Sequence, residues 1–90
     1  VTRILIVEDD QEIIKLLEKF LEGDGYEVTV AADLAGALMA TSSLSPDLVL
    51  LDIVLGAEDG RDVLREMRLI SDVPIIFLTG RGLEAERIAG

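Results

Sequence analysis

Between segments of helical period, this sequence returns repeatedly to short, β-favouring runs, and that alternation limits its fold more than any other feature. The most informative run is Leu48-Val49-Leu50-Leu51-Asp52-Ile53-Val54-Leu55, opened by Pro46-Asp47 and closed by the loop from Gly56 to Gly60. A continuous apolar stretch of this length between turn signals reads as a strand covered on both faces, the habit of a parallel sheet. Its one charged member, Asp52, is costly to bury ionised unless something compensates the charge. Taken alone, such an aspartate reads as a strand end that caps the next turn.

Ile4-Leu5-Ile6-Val7 forms the first strand and stops at Glu8-Asp9-Asp10. A helix follows, with Ile13, Leu16, Leu17, Phe20 and Leu21 as its apolar stripe and Glu12, Lys15, Glu18 and Lys19 on other faces. Asp9 and Glu12 have the spacing of a capping box, and Gly23 and Gly25 supply the stop. Glu27-Val28-Thr29-Val30 alternates as an edge strand would. Asp33 suits the N-cap of a second helix with Leu34, Ala37, Leu38 and Thr41 inward. A third helix from about Gly60 turns Val63, Leu64, Met67 and Ile70 inward and Arg61, Arg65 and Arg68 outward, with Asp59 and Asp62 as its caps. Val73 to Leu78 is the fourth strand, ending at Thr79-Gly80, and Leu83 to Gly90 begins a fourth helix.

This β-α-β-α-β-α-β-α order predicts an α/β, flavodoxin-like, doubly wound parallel sheet of strand order 2-1-3-4. In such open sheets a ligand binds beyond the carboxyl ends of the strands where the strand order reverses, here between strands one and three. Glu8, Asp9 and Asp52 then converge in one crevice, with the Thr79 hydroxyl one strand over. Each piece has a plainer reading by itself: acids before a helix compensate its dipole, and a threonine before glycine makes a turn. Asp10 fits first-turn capping. Their joint placement at three strand ends is the feature that local turn chemistry does not explain.

Crowded carboxylates repel one another unless a cation relieves them. The 90-residue chain has no cysteine and no histidine, so its ligands are oxygens, which select a hard ion. Few protein ligands, with water and an incoming phosphate completing the shell, suit Mg²⁺ better than Ca²⁺. Asp52 could then act as a nucleophile toward phosphorus. The absence of histidine also removes His-based acid–base catalysis, and a net charge of −10 opposes direct binding to nucleic acid or anionic lipid. No apolar run approaches the roughly 20 residues of a membrane helix, and Val1-Thr2-Arg3-Ile4 reads as a strand start, not a signal peptide. The expectation is a single soluble, cytoplasmic domain over residues 1–90.

These residues resemble the receiver domain of two-component response regulators, in the transcription-factor branch. The matching pieces are Arg3 through Asp10, Pro46 through Asp52, Asp59-Gly60 with Leu64, and Val73 through Gly82. The resemblance implies that Asp52 accepts a phosphoryl group from the phosphohistidine of a partner sensor histidine kinase. It implies that Asp9, Asp52 and the backbone carbonyl of Val54 bind Mg²⁺, with Glu8 acting mainly through water. It further implies a phosphorylated switch and not an enzyme beyond weak self-phosphorylation and self-dephosphorylation, with the Thr79 hydroxyl swinging toward the phosphoaspartate. Where the family usually has proline four residues after its aspartate, Gly56 stands here. The family's fifth strand with its lysine and switch aromatic, and its fifth helix, would fall beyond Gly90. A truncated receiver, impaired in switching and prone to homo-oligomerise, is therefore expected, or else a receiver that continues into an output domain. A phosphatase of the haloacid-dehalogenase type would need an acid where Val54 stands. A flavin module would not place Glu8-Asp9-Asp10 against a phosphate.

Overall fold

The computed structural model describes residues 1–78, in the order β1 (Arg3–Val7), α1 (Gln11–Gly23), β2 (Glu27–Ala31), α2 (Leu34–Leu44), β3 (Leu48–Asp52), β4 (Val54–Leu55), β5 (Glu58–Asp59), α3 (Gly60–Arg68) and β6 (Ile75–Leu78). The main sheet runs β2-β1-β3-β6, all parallel, so β2 is an edge strand. This is the predicted 2-1-3-4 order. The last strand becomes β6 because a two-stranded antiparallel hairpin, β4-β5, interrupts the connection out of β3. Thr79 and the segment read as a fourth helix lie outside the described residues.

Side chains alternate across the central strands and build a core on each face. Leu5, Val7, Val49 and Leu51 join Ala37 of α2 and Val63 and Met67 of α3 on one side. Ile4, Ile6 and Leu50 meet Leu17 and Leu21 of α1 on the other. Full burial of a leucine or isoleucine stabilises by roughly 2 kcal/mol, so central residues such as Leu5, Ile6 and Leu51 anchor the sheet.

Helix starts follow short side-chain caps. Asp33 Oδ1 accepts the Gly36 N–H at 2.8 Å and Asp59 Oδ1 the Arg61 N–H at 2.8 Å, both as expected. At α1 the cap is Asp10, whose Oδ1 accepts the N–H groups of Glu12 and Ile13 at 2.9 and 3.3 Å. The Asp9–Glu12 box is therefore corrected, because Asp10 occupies the capping position and leaves the Asp9 carboxylate uncommitted to the helix. Asp62 does not cap α3 but pairs with Arg65 one turn on.

Three boundaries and faces also shift. In α1 the deepest residue is Ile14, while Leu16 and Phe20 of the expected stripe are 55 % and 66 % exposed. The helix lies over the sheet on a face rotated toward Ile14, Leu17 and Leu21. Ile70 falls in the turn after α3 and is half exposed. The last strand starts at Ile75 because Pro74 has no N–H to donate, although its carbonyl accepts the Val49 N–H at 2.9 Å.

Candidate functional site

The carboxylates gather because of register. β1 and β3 pair with Val7 opposite Leu51, so Glu8 and Asp52 each follow the last of these paired residues at the same end of the sheet. Glu8 is tied to β2 through its N–H, which donates to the Ala31 carbonyl at 2.9 Å. Asp52 still lies within β3 and pairs across to Leu78 of β6. One carboxylate oxygen each from Glu8, Asp9 and Asp52 comes within 4.8 Å of the others. Three of the predicted site residues are therefore brought together by the fold.

They meet in different environments. Glu8 and Asp52 are buried, whereas Asp9 is exposed at the mouth of the cluster. Glu8 Oε2 accepts the Asp10 N–H at 3.0 Å, and Glu8 Oε1 has no hydrogen-bond partner among the described residues. Burial pushes the Glu8 carboxyl from 4.5 up to about 7, despite the opposing hydrogen bond from Asp10, and the neighbouring Asp52 and Asp9 charges raise it further. None of the ion pairs among the described residues reaches these three groups.

The Val54 N–H donates to Asp52 Oδ1 at 3.2 Å and so fixes one oxygen of that carboxylate. The Val54 side chain is exposed beside the site. The hairpin that begins there turns through Gly56 and Ala57, pairing Leu55 with Glu58 and Val54 with Asp59. Gly56 has φ of +55°, a left-handed conformation, and a Cβ built there would sit 3.4 Å from Asp9 Oδ2. The chain then returns so closely that a Cβ on Gly60 would come within 2.7 Å of the Ile53 Cα and run into the Asp52 carbonyl oxygen. Glycine at position 60 lets the start of α3 lie directly against the end of β3.

Sequence reasoning did not anticipate the hairpin, although a glycine inside a short two-residue turn between Val54-Leu55 and Glu58-Asp59 was its available signal. It also missed Glu58, whose Oε1 accepts the Leu34 N–H at the start of α2, 2.8 Å away. No local pattern links two positions 24 residues apart.

An all-oxygen donor set with an orphaned buried carboxylate oxygen fits a hard divalent ion such as Mg²⁺. No described helix is long and apolar enough to cross a membrane.

The chain is similar to known proteins. Residues 4–90 match the family described as the response regulator receiver domain. The chain is 42 % identical over 88 residues to the KDP operon transcriptional regulatory protein KdpE of Escherichia coli, covering 98 % of this chain and 39 % of that protein. It is 41 % identical over 88 residues to the transcriptional regulatory protein CpxR of Klebsiella pneumoniae, covering 98 % of this chain and 38 % of that one. The chain thus spans about two fifths of the length of these curated relatives. Among solved structures, the activated N-terminal receiver domain of Klebsiella pneumoniae RstA superposes with a TM-score of 0.83 at 34 % identity, over 92 % of this chain and 71 % of that one. By its sheet order, its acidic pocket and this match over nearly its whole length, the chain belongs to the response regulator receiver domain family.

Proposed function

We propose that this receiver takes a phosphoryl group from the phosphohistidine of a sensor histidine kinase onto Asp52. The observation that carries the reading is the meeting of Glu8, Asp9 and Asp52 at one end of the sheet. A receiver is a phosphorylated signalling switch, not a classical enzyme, and the chemistry asked of this chain is correspondingly spare.

Asp9 and Asp52 would hold Mg²⁺ directly, joined by the Val54 carbonyl, with Glu8 contributing charge and binding through water. Bound there, the ion supplies positive charge opposite the oxygens of the transferring phosphoryl group. The Val54 N–H holds Asp52 Oδ1 and leaves Oδ2 to attack. The Oδ2–phosphorus bond forms as the phosphorus–nitrogen bond breaks, and the electron pair stays with the departing imidazole of the kinase. The hydroxyl of Thr79, one residue past the end of β6, then donates to a phosphoryl oxygen and favours one of two pre-existing conformations. A cytoplasmic location follows from the same reading.

Incubation with acetyl phosphate and Mg²⁺, followed by intact mass spectrometry, tests it. A gain of one phosphoryl group that disappears in Asp52→Asn is expected. No gain in the folded chain, or an undiminished gain in the variant, removes Asp52 from this role. A second reading, a self-associating module, draws on Leu16, Phe20 and Ile76, each more than half exposed. A monomeric mass by light scattering at high concentration would argue against it.

A further inference from the structure

The loop that leaves Asp52 is held at both flanks and at one distant point. Near its start, the Val54 N–H donates to Asp52 Oδ1 at 3.2 Å. At its end, the Gly60 N–H donates to the Ile53 carbonyl. Both bonds close the loop on its own neighbours. The third is different in kind: Glu58, on the returning strand of the hairpin, reaches across to accept the Leu34 N–H of α2 at 2.8 Å. A carboxylate there also opposes the positive end of the α2 dipole. The first turn of α2 thus has two acidic partners, Asp33 from its own cap and Glu58 from the acidic-site loop.

We propose that Glu58 is a positioning residue for the divalent-ion site, acting by locking the Val54–Asp59 hairpin to the start of α2. This rests on the reading of Asp9, Asp52 and the Val54 carbonyl as the Mg²⁺ ligands. Val54 and Asp59 are paired residues of the hairpin, and Leu55 pairs with Glu58 itself. The tether therefore acts one ladder step from the backbone of Val54. Gly56, at the turn, gives the hairpin more freedom than a stiffer residue would, so an external anchor matters more here. By linkage, whatever ordering the tether contributes to the ion site, an ion in the site returns to the α2 start. Mg²⁺ then tightens the Glu58–Leu34 bond, and α2 registers occupancy of a site it does not touch.

Asp33 provides the control. It caps the same helix through Gly36, so its loss weakens α2 without releasing the hairpin. The experiment is a Mg²⁺ titration of the 90-residue chain followed by NMR, with amide hydrogen exchange at Leu34 measured with and without Mg²⁺. Glu58→Ala should weaken Mg²⁺ binding about fivefold, the worth of one net hydrogen bond. Glu58→Gln, whose amide oxygen still accepts, should recover most of that loss. Asp33→Ala should lower thermal stability while keeping Mg²⁺ affinity within about twofold of the parent, since a lost cap acts on the helix. Mg²⁺ should slow exchange at Leu34 in the parent and in Glu58→Gln but not in Glu58→Ala. Equal Mg²⁺ affinity in the parent and Glu58→Ala overturns the positioning role and leaves the ion site intact. An equal loss in Asp33→Ala overturns it as well, because helix stability would then explain the effect. No Mg²⁺ binding by the folded parent overturns the functional reading and this proposal together.

Discussion

The two ends of the sheet carry charge in opposite ways. At the amino end, Arg3 donates from its backbone N–H to Asp47 Oδ2 at 2.8 Å and from Nε to Glu27 Oε1 at 3.1 Å. Its Nη1 reaches the Leu44 carbonyl at 3.2 Å, and the Asp47 N–H returns a bond to the Arg3 carbonyl. Arg3, Glu27 and Asp47 each have a partner there, in the open. At the carboxyl end Glu8, Asp9 and Asp52 share a space with no cationic side chain paired to them among the described residues. One of the buried oxygens, Glu8 Oε1, has no hydrogen-bond partner among the described residues. Burial without compensation costs free energy, so the first end is arranged for the fold, while the second is an acidic pocket consistent with a phospho-acceptor site.

The sharpest way to break this contrast is at Asp9. Outer contacts of a metal site alone change affinity about 10- to 100-fold. Asp9→Ala, which deletes a carboxylate of the cluster itself, should therefore weaken Mg²⁺ binding at least about a hundredfold by calorimetry, with the fold retained. Unchanged affinity would mean that the cluster is not the ion site.

Glu8 tests the cost of the uncompensated end. Its carboxyl binds a proton more tightly in the folded chain, where it titrates near 7, than in the unfolded chain, where it titrates near 4.5. Its contribution is full below about 4.5 and is lost as pH rises through about 7. In the absence of divalent ions, Glu8→Gln should match the parent near pH 4 and exceed it above pH 7 by no more than about 3 kcal/mol. Denaturant melts across that range would show the gap opening, and a constant gap would contradict the raised titration. The smallest effect belongs to the amino end. There Arg3→Ala should cost under about 1 kcal/mol, since the Arg3–Glu27 pair is half or more exposed, and should leave Mg²⁺ binding as it was.

What could be read from the residues alone was what depends on period and strand ends. The runs at Ile4–Val7 and Leu48–Leu51 specified buried strands, and their acidic successors specified the crevice, because parallel order sends both carboxyl ends the same way. Asp33 and Asp59 were legible as caps since the signal is local. Asp10 was legible as a first-turn cap too, but three consecutive acids also suggested an Asp9–Glu12 box, and only geometry decides between them. The rotation of α1 toward Ile14 was hidden by a helix whose apolar residues, Ile13, Ile14, Leu16, Leu17, Phe20 and Leu21, cover more than one face. The bond from Glu58 to Leu34 was invisible for a different reason: it joins a hairpin strand to a helix start that only the folded chain brings together.

The pairing of Val7 with Leu51 has a further bearing on how such a domain can change. Side chains on a strand alternate, and each residue advances the chain about 3.3 Å. Deleting one residue from β1 would swing Glu8 to the opposite side or drag it a full step away from Asp52. The chemistry is thus protected by a ruler: single exchanges of amino acid can tune it, but lengthening or shortening must be confined to the turns. Descendants of such a scaffold can diversify freely in their connections while the distance between their acids stays counted out by the strands.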